Sequence, residues 1–243
     1  MERIAIVTVC LNDRAGLERT LASVFAQTNT NYELIVVDGG STDGSVELIQ
    51  RNAERIHCWT SEKDAGIYDA QNKGWYTATA PVVIFLNAGD VLAAPDVLQQ
   101  AAQALSTEID ILYGDAHLSD ARGVHATKVH PARITSVWLM KEVVAHQSQF
   151  IRTSLLMKLE GYDKRFRIAA DYAFFARAFW ERNARMRKLD RVVSIFDRSG
   201  ISSSPEQKAN VARERKEIQR LYAPKPWFWI YHTYAALNRM MGR

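Results

Sequence analysis

Three aspartates stand where a carboxylate can do chemistry as well as solubilise a surface. Asp38 closes the apolar run ELIVVD at residues 33–38, Asp90 closes VVIFLNAGD at residues 82–90, and Asp171 opens a segment with helical spacing in Ala169-Ala170-Asp171-Tyr172. Apolar runs of this length, bounded by turn residues, read as buried strands. Polar groups at the carboxyl ends of buried parallel strands are where open α/β sheets hold their ligands. A carboxylate at the end of the run 33–38 suits the imide N–H of a nucleobase or a ribose hydroxyl. Asp90 is either a turn residue capping the next element or an oxygen ligand for a hard cation. Asp171 also has two readings: the helix dipole alone favours an acid in a first turn, and a carboxylate so placed can take a proton from an attacking hydroxyl.

The elements that must position these groups follow from the apolar spacing. Residues 3–10 (RIAIVTVC) predict a first strand, and Asn12 an N-cap for a helix with Leu17, Leu21, Val24 and Phe25 on one face. Residues 33–38 predict a second strand, followed by a helix carrying Val46, Ile49, Ala53 and Ile56; residues 56–60 predict a third and 82–87 a fourth. Four strands alternating with helices imply a parallel sheet joined by right-handed crossovers. Beyond Asp90 the pattern is mixed: a helix from Pro95 to about 105, a strand pair at 110–118 and 122–129 joined across 119–122, and a short strand at 147–152. Helices at 153–159 and 171–183, a late strand at 188–197, a linker at 199–204 and a charged helix near 206–222 complete the reading.

The loop GGSTDG at 39–44 lacks the Gly-Lys-Ser/Thr ending of a phosphate-binding P-loop, and no G-x-G-x-x-G follows the first strand. It predicts a helix N-terminus capped by Ser41 or Thr42. Lys+Arg 31 against Asp+Glu 27 gives a net charge of +4, too slight to argue for nucleic acid. The excess sits at the C-terminal end, where residues 205–243 hold eight Lys/Arg and three Asp/Glu. Cys10 and Cys58 have no metal-type spacing and are expected as free, buried thiols in a reducing compartment. No stretch approaches the roughly 18 apolar residues of a membrane span, and the first apolar run is too short for a signal peptide. The expectation is a cytoplasmic protein, soluble or peripheral to the inner face of the cytoplasmic membrane.

The motifs VTVCLND, ELIVVDGGSTDGS, KDAGIYDAQNKG and FLNAGD, in this order and spacing, resemble the family 2 glycosyltransferases of the GT-A fold, within them the bacterial branch that builds exopolysaccharides such as colanic acid and O-antigens. The likeness continues through HQSQF and GYDKRFRIAADYAFFAR, so it covers roughly residues 3–200. It implies inverting transfer of a sugar from a nucleotide-sugar, most plainly a UDP-sugar, to a growing surface glycan or lipid-linked oligosaccharide. The matched positions place Thr8, Asp38 and Asp64 at the nucleotide, Asp171 as the general base, and Asp90 as the ligand of a divalent cation, Mg²⁺ or Mn²⁺. Two departures stand out. Most relatives have Ala-Arg-Asn where this chain has Ala70-Gln71-Asn72, so that Asn72 and Lys73 are left to meet the nucleotide. The metal motif, commonly Asp-x-Asp, is Asn87-Ala88-Gly89-Asp90 and keeps only its last carboxylate.

His146 and Gln147, at the start of the short strand at 147–152, are expected to orient acceptor hydroxyls, with His146 alternatively near the metal or diphosphate. The tail PKPWFWIYHTYAALNRMMGR interleaves aromatic and basic residues, which suits either an anionic membrane surface or a helix folded back on the domain. The expected division is a GT-A domain at 1–204, with a nucleotide-sugar half at 1–92 and a mixed α+β acceptor half at 93–204, then a basic helical tail at 205–243. Two other functions remain open on the sequence: a GT-A-like module that binds nucleotide or glycan without turnover, and a nucleotidyltransferase.

Overall fold

Seven residues in a row, Ile4–Cys10, are buried, and the same holds for six of the seven in Tyr32–Asp38. Such runs arise where helices cover both faces of a parallel sheet, so that neither parity of side chain meets water. The computed structural model, which describes residues 1–120, 123–197 and 207–240, has this arrangement. Its N-terminal part contains β1 (Ile4–Cys10), α1 (Arg14–Phe25), β2 (Tyr32–Asp38), α2 (Ser45–Arg51), β3 (Cys58–Ser61), α3 (Ile67–Thr77), β4 (Val82–Asn87) and β5 (Val91–Leu92). There follow α4 (Val97–Ala104), β6 (Ile111–Asp120), β7 (Gly123–Lys128), α5 (Ser136–Lys141), β8 (Gln149–Arg152), α6 (Thr153–Leu159), α7 (Ala170–Trp180), β9 (Met186–Asp197), α8 (Lys208–Tyr222) and α9 (Lys225–Met240).

Nine strands among the described residues form one sheet in the order β3-β2-β1-β4-β8-β6-β9-β5, with β7 paired to β6 off that path. The first four are mutually parallel, as the alternation of strands and helices predicts. Cys10 lies opposite Asp38 and Val9 opposite Asn87, so β1, β2 and β4 end side by side. Past β4 the sheet turns mixed: β8 is antiparallel to β4 and β6, β9 runs parallel to β6, and β5 is antiparallel to β9.

Alternate residues of each strand enter different cores. Ile4, Ile6, Val36 and Ile84 pack with Leu17 and Leu21 of α1 and Leu98 of α4. Val7, Ile35, Val37 and Phe85 pack with Trp75 of α3, Phe175 of α7 and Ile218 of α8. Helix α3 approaches β1 closely because Gly74 has no side chain; a Cβ there would lie 2.3 Å from Val7 Cγ1. Ile218 is fully buried, so α8 belongs to the packed body and is not a free extension beyond residue 204.

Several local expectations shift. The N-cap of α1 is Asp13, whose Oδ1 accepts the Gly16 amide at 2.8 Å, whereas Asn12 takes φ +51° and accepts the Thr42 amide across the loops. Neither Ser41 nor Thr42 caps α2; Gly44 precedes it, and Asp43 Oδ1 accepts from Ser45 N and Oγ. The two-residue β5 is too short to leave a sequence pattern. The expected turn at 119–122 falls partly, and the linker at 199–204 wholly, outside the described residues. Cys10 and Cys58 are both free, the first buried and the second partly so. Among the described residues no helix is long and apolar enough to cross a membrane.

Candidate active site

Because the parallel strands end together, the residues that follow them share one edge of the sheet. Asp38, closing β2, is fully buried. Its Oδ2 accepts hydrogen bonds from the amides of Gly40 (3.0 Å) and Ser41 (2.9 Å) and from Ser61 Oγ (2.7 Å). Gly40 takes φ +87°, a left-handed turn that lets both amides face back toward the carboxylate. Asp38 Oδ1 is buried without a hydrogen-bond partner, and so is the hydroxyl of Thr8 on the neighbouring strand. A buried acceptor without a donor is costly, and a ligand N–H or O–H is the group that would satisfy it. Asp64 closes over the same strand end: a Cβ on Gly39 would lie 2.5 Å from its Oδ2, while its Oδ1 accepts the Gly66 amide at 2.8 Å.

A chain of polar side chains crosses from β4 to α7. Gln71 of α3 donates from Nε2 to Asn87 Oδ1 at 2.8 Å, and Asn87 Nδ2 lies 3.1 Å from His146 Nε2. His146, in a 3-10 turn (His146–Ser148) just before β8, sets Nδ1 3.4 Å from Asp171 Oδ2. Asp171 Oδ1 accepts from its neighbour's amide, Tyr172 N, at 2.8 Å and from the Tyr68 hydroxyl at 3.1 Å. The same hydroxyl is 2.8 Å from the Ile168 carbonyl. Burial works to raise the Asp171 carboxyl, but His146, the Tyr172 amide and the Tyr68 hydroxyl outweigh it and hold it below the usual carboxylate range. For His146 burial acts downward, and the hydrogen bond and charge of Asp171, with the charge of Asp90, carry it above the ordinary imidazole value.

Asp90 sits 2% exposed in the turn after β4. Its Oδ2 accepts Asn87 N at 3.2 Å and its Oδ1 accepts Asp197 N, from the end of β9, at 3.1 Å. Burial pushes its carboxyl up to about 7, against the pull of His146 and the two amides. Among the described residues no Lys or Arg pairs with it, and no group of three His, Cys, Asp or Glu is arranged for a metal. Each Asp90 oxygen retains a second lone pair, so the residues fit a hard cation that takes most of its oxygen ligands from a diphosphate.

The other expected residues are placed differently from one another. Gln147 is 1% exposed and its Nε2 is buried without a partner next to His146. Asn72, expected at the nucleotide, is instead committed to the chain after α6: Nδ2 donates to the Tyr162 carbonyl at 2.8 Å, and Oδ1 accepts Tyr162 N and Trp75 Nε1. Lys73 is held by Glu62 at 2.7 Å and Asp69 at 3.6 Å. Sequence reasoning did not assign Tyr68, Gln71 or Asn87 to this network; the available signal was that Gln71 and Asn87 both depart from the family pattern.

The sequence model of glycosyl transferase family 2 matches residues 5–182, which span every side chain just described but not the Asp197 amide that meets Asp90. This chain belongs to glycosyl transferase family 2. As a family 2 glycosyltransferase it has relatives of comparable length. A glycosyltransferase of Mycobacterium tuberculosis is 35% identical over 212 residues, covering 85% of this chain and 79% of the relative. A UDP-Glc:alpha-D-GlcNAc-diphosphoundecaprenol beta-1,3-glucosyltransferase of Escherichia coli is 26% identical over 139 residues, 57% of this chain and 55% of that one. The fold is that of S. aureus TarS in complex with UDP-GlcNAc (TM-score 0.70, 19% identity, 91% of this chain and 68% of that chain). It is also that of a Pyrobaculum calidifontis mannosyltransferase in complex with GDP-Man and Mn²⁺ (TM-score 0.64, 16% identity, 98% and 80%). The family 2 glycosyltransferase described here therefore has the GT-A fold, a curled mixed sheet flanked by helices.

Proposed function

We propose that this glycosyltransferase moves a sugar from a UDP-sugar, with inversion at the anomeric carbon, to a growing bacterial surface glycan carried on a lipid diphosphate. The observation that carries the reading is the pairing of a buried, half-satisfied carboxylate, Asp38, at one end of the sheet edge with a fixed carboxylate, Asp171, at the other. Asp38 Oδ1 accepts from the nucleotide, with Thr8 and Asp64 beside it. Asp171, held ionised, accepts the proton of the acceptor hydroxyl as that oxygen attacks the anomeric carbon. The new C–O bond forms as the bond to the nucleoside diphosphate breaks on the opposite side, which inverts the centre. Gln147 and His146 flank the acceptor. A divalent cation at Asp90 would neutralise charge on the departing diphosphate.

The choice of UDP and of a lipid carrier is supported by the names of the E. coli relative and of the TarS complex. The C-terminal helix agrees with it: Trp227, Trp229, Ile230 and Tyr234 of α9 are all exposed, and Arg220 and Lys225 lie close by in sequence. Aromatic and basic groups together suit the headgroup layer of an anionic membrane, where a lipid-linked acceptor would be met from the cytoplasmic face. A binding module without turnover is the second reading, favoured by the two backbone bonds that already occupy Asp90.

UDP release from UDP-glucose and UDP-GlcNAc, with and without Mn²⁺, tests the proposal. Turnover is expected in the wild type. In Asp171→Asn it should fall by about 10²- to 10⁴-fold, the range of general-base contributions, with UDP binding retained. Unchanged turnover in that variant would remove Asp171 from the chemistry. UDP binding without any turnover would favour the binding module.

A further inference from the structure

Helix α7, which carries Asp171, has no side-chain cap at its N-cap position. Its N-cap residue is Ala169, and the preceding Ile168 and following Ala170 offer no side-chain acceptor either. The amides at the entrance of a helix need acceptors, and Ser, Thr, Asp or Asn at the N-cap ordinarily supplies one. For the N-cap amide of Ala169 and the two amides before it, the acceptor comes from α8. Glu214 Oε1 accepts Arg167 N at 3.1 Å, and Oε2 accepts Ile168 N at 3.0 Å and Ala169 N at 2.9 Å. Three consecutive amides are thus gathered by one carboxylate from 45 to 47 residues away.

The same turn is gripped from its other side, because the Tyr68 hydroxyl that contacts Asp171 Oδ1 also contacts the Ile168 carbonyl. Five residues beyond Glu214 on α8, Gln219 is 3% exposed and donates from Nε2 to the Met140 carbonyl and to the hydroxyl of Tyr172, the residue after Asp171. Helix α8 therefore holds the chain on both flanks of Asp171. It lies beyond residue 182, where the match to the family model ends.

We propose that Glu214 is a positioning residue for the reaction: its carboxylate fixes the turn at residues 167–169 and so the direction in which Asp171 is presented. It touches no substrate and acts only through Asp171. Reacting groups displaced by about an ångström can lose around 10²-fold in rate, so removing the clamp reduces turnover without altering the nucleotide end of the site.

The inference rests on Asp171 being the base, and its test keeps the two apart. Hydrogen exchange is followed over residues 165–172 in the wild type, Glu214→Ala and Glu214→Gln. UDP release from UDP-glucose and UDP-GlcNAc is measured for each variant with and without Asp171→Asn. Glu214→Ala is expected to speed exchange at the three amides and to lower kcat by about 10- to 100-fold, with Kd for UDP within about twofold. Glu214→Gln, which keeps an acceptor oxygen but loses the charge, should fall between it and the wild type. In the Asp171→Asn background Glu214→Ala should cost nothing further, since a residue that acts through another is not additive with it. Equal losses in both backgrounds, or a loss confined to UDP affinity, would overturn the role. A wild type that binds UDP but turns over neither sugar counts against Asp171 as the base, and the role of Glu214 falls with it. If Glu214→Ala does not fold, Glu214→Gln carries the same comparison.

Discussion

His146 Nδ1 stands 3.4 Å from Asp171 Oδ2, with 14% and 20% of the two side chains exposed. The contact shifts both groups in the direction of charge, Asp171 downward and His146 upward, in each case against burial. The stability it contributes has a definite pH window. Asp171, with its lowered folded value, contributes fully above the unfolded value of about 3.9 and loses that contribution as pH falls through the folded one. His146, with its raised value, contributes fully below about 6.5 and loses it as pH rises through the folded value. The wild-type melting temperature is therefore expected to drop, relative to His146→Gln, which has no group to titrate there, as pH rises from about 6.5 through the raised folded value. Parallel curves for the two proteins would mean that the pair is not charged in the native state.

Asp38 gives a second expectation. Its Oδ2 is occupied by two amides and Ser61, and only Oδ1 is left for a ligand. In Asp38→Asn one oxygen becomes an N–H₂ group, which repels a ligand donor or releases the Gly40 turn. UDP should bind about 10- to 100-fold more weakly, matching the roughly 1.5–3 kcal/mol of a hydrogen bond to a charged group. Calorimetric titration with UDP measures this; wild-type affinity in the variant would place the nucleotide elsewhere.

Gly74→Ala tests how tightly α3 is seated. The added Cβ would meet Val7 Cγ1 at 2.3 Å in the middle of a close-packed layer. Overpacking of this kind costs about 1–3 kcal/mol. For a chain of this length each kcal/mol lowers the melting temperature by roughly 2–4 °C. A melting curve unchanged from the wild type would show that the helix can move outward freely.

The sheet was legible in the sequence because two-sided burial leaves continuous apolar runs, and the run at β4 (Val82–Asn87) has the bounds that its spacing predicts. Asp38, Asp90 and Asp171 were legible for a related reason: the first two sit where an apolar run stops abruptly, and the third where a helical pattern starts. The links between them were not. Gln71 and Asn87 look like two separate losses, of an arginine and of an acid, yet they donate and accept within a single 2.8 Å hydrogen bond. A neutral pair replaces what a reading along the chain treats as unrelated positions. Asn72 shows the converse, a family-matched residue drawn away by partners 90 residues distant, Tyr162 N and O, which no local pattern reveals. Glu214 was hidden as well, since a glutamate on a charged helix looks like any solvated residue until its three acceptor bonds are seen.

One long-range contact also bears on how the protein comes into being. The turn that presents Asp90 is completed by the Asp197 amide, and β5 beside it pairs, among the described residues, only with β9. Until a ribosome has delivered residue 197, the first ninety residues lack both the edge partner and the donor that close this loop. A nascent chain can assemble the parallel strands early, but the turn after β4 stays unfinished through the making of everything in between. Pairing so distant in sequence is slow to form, and a chain stopped at residue 182 should refold into a sheet whose turn at residues 87–90 remains open to protease.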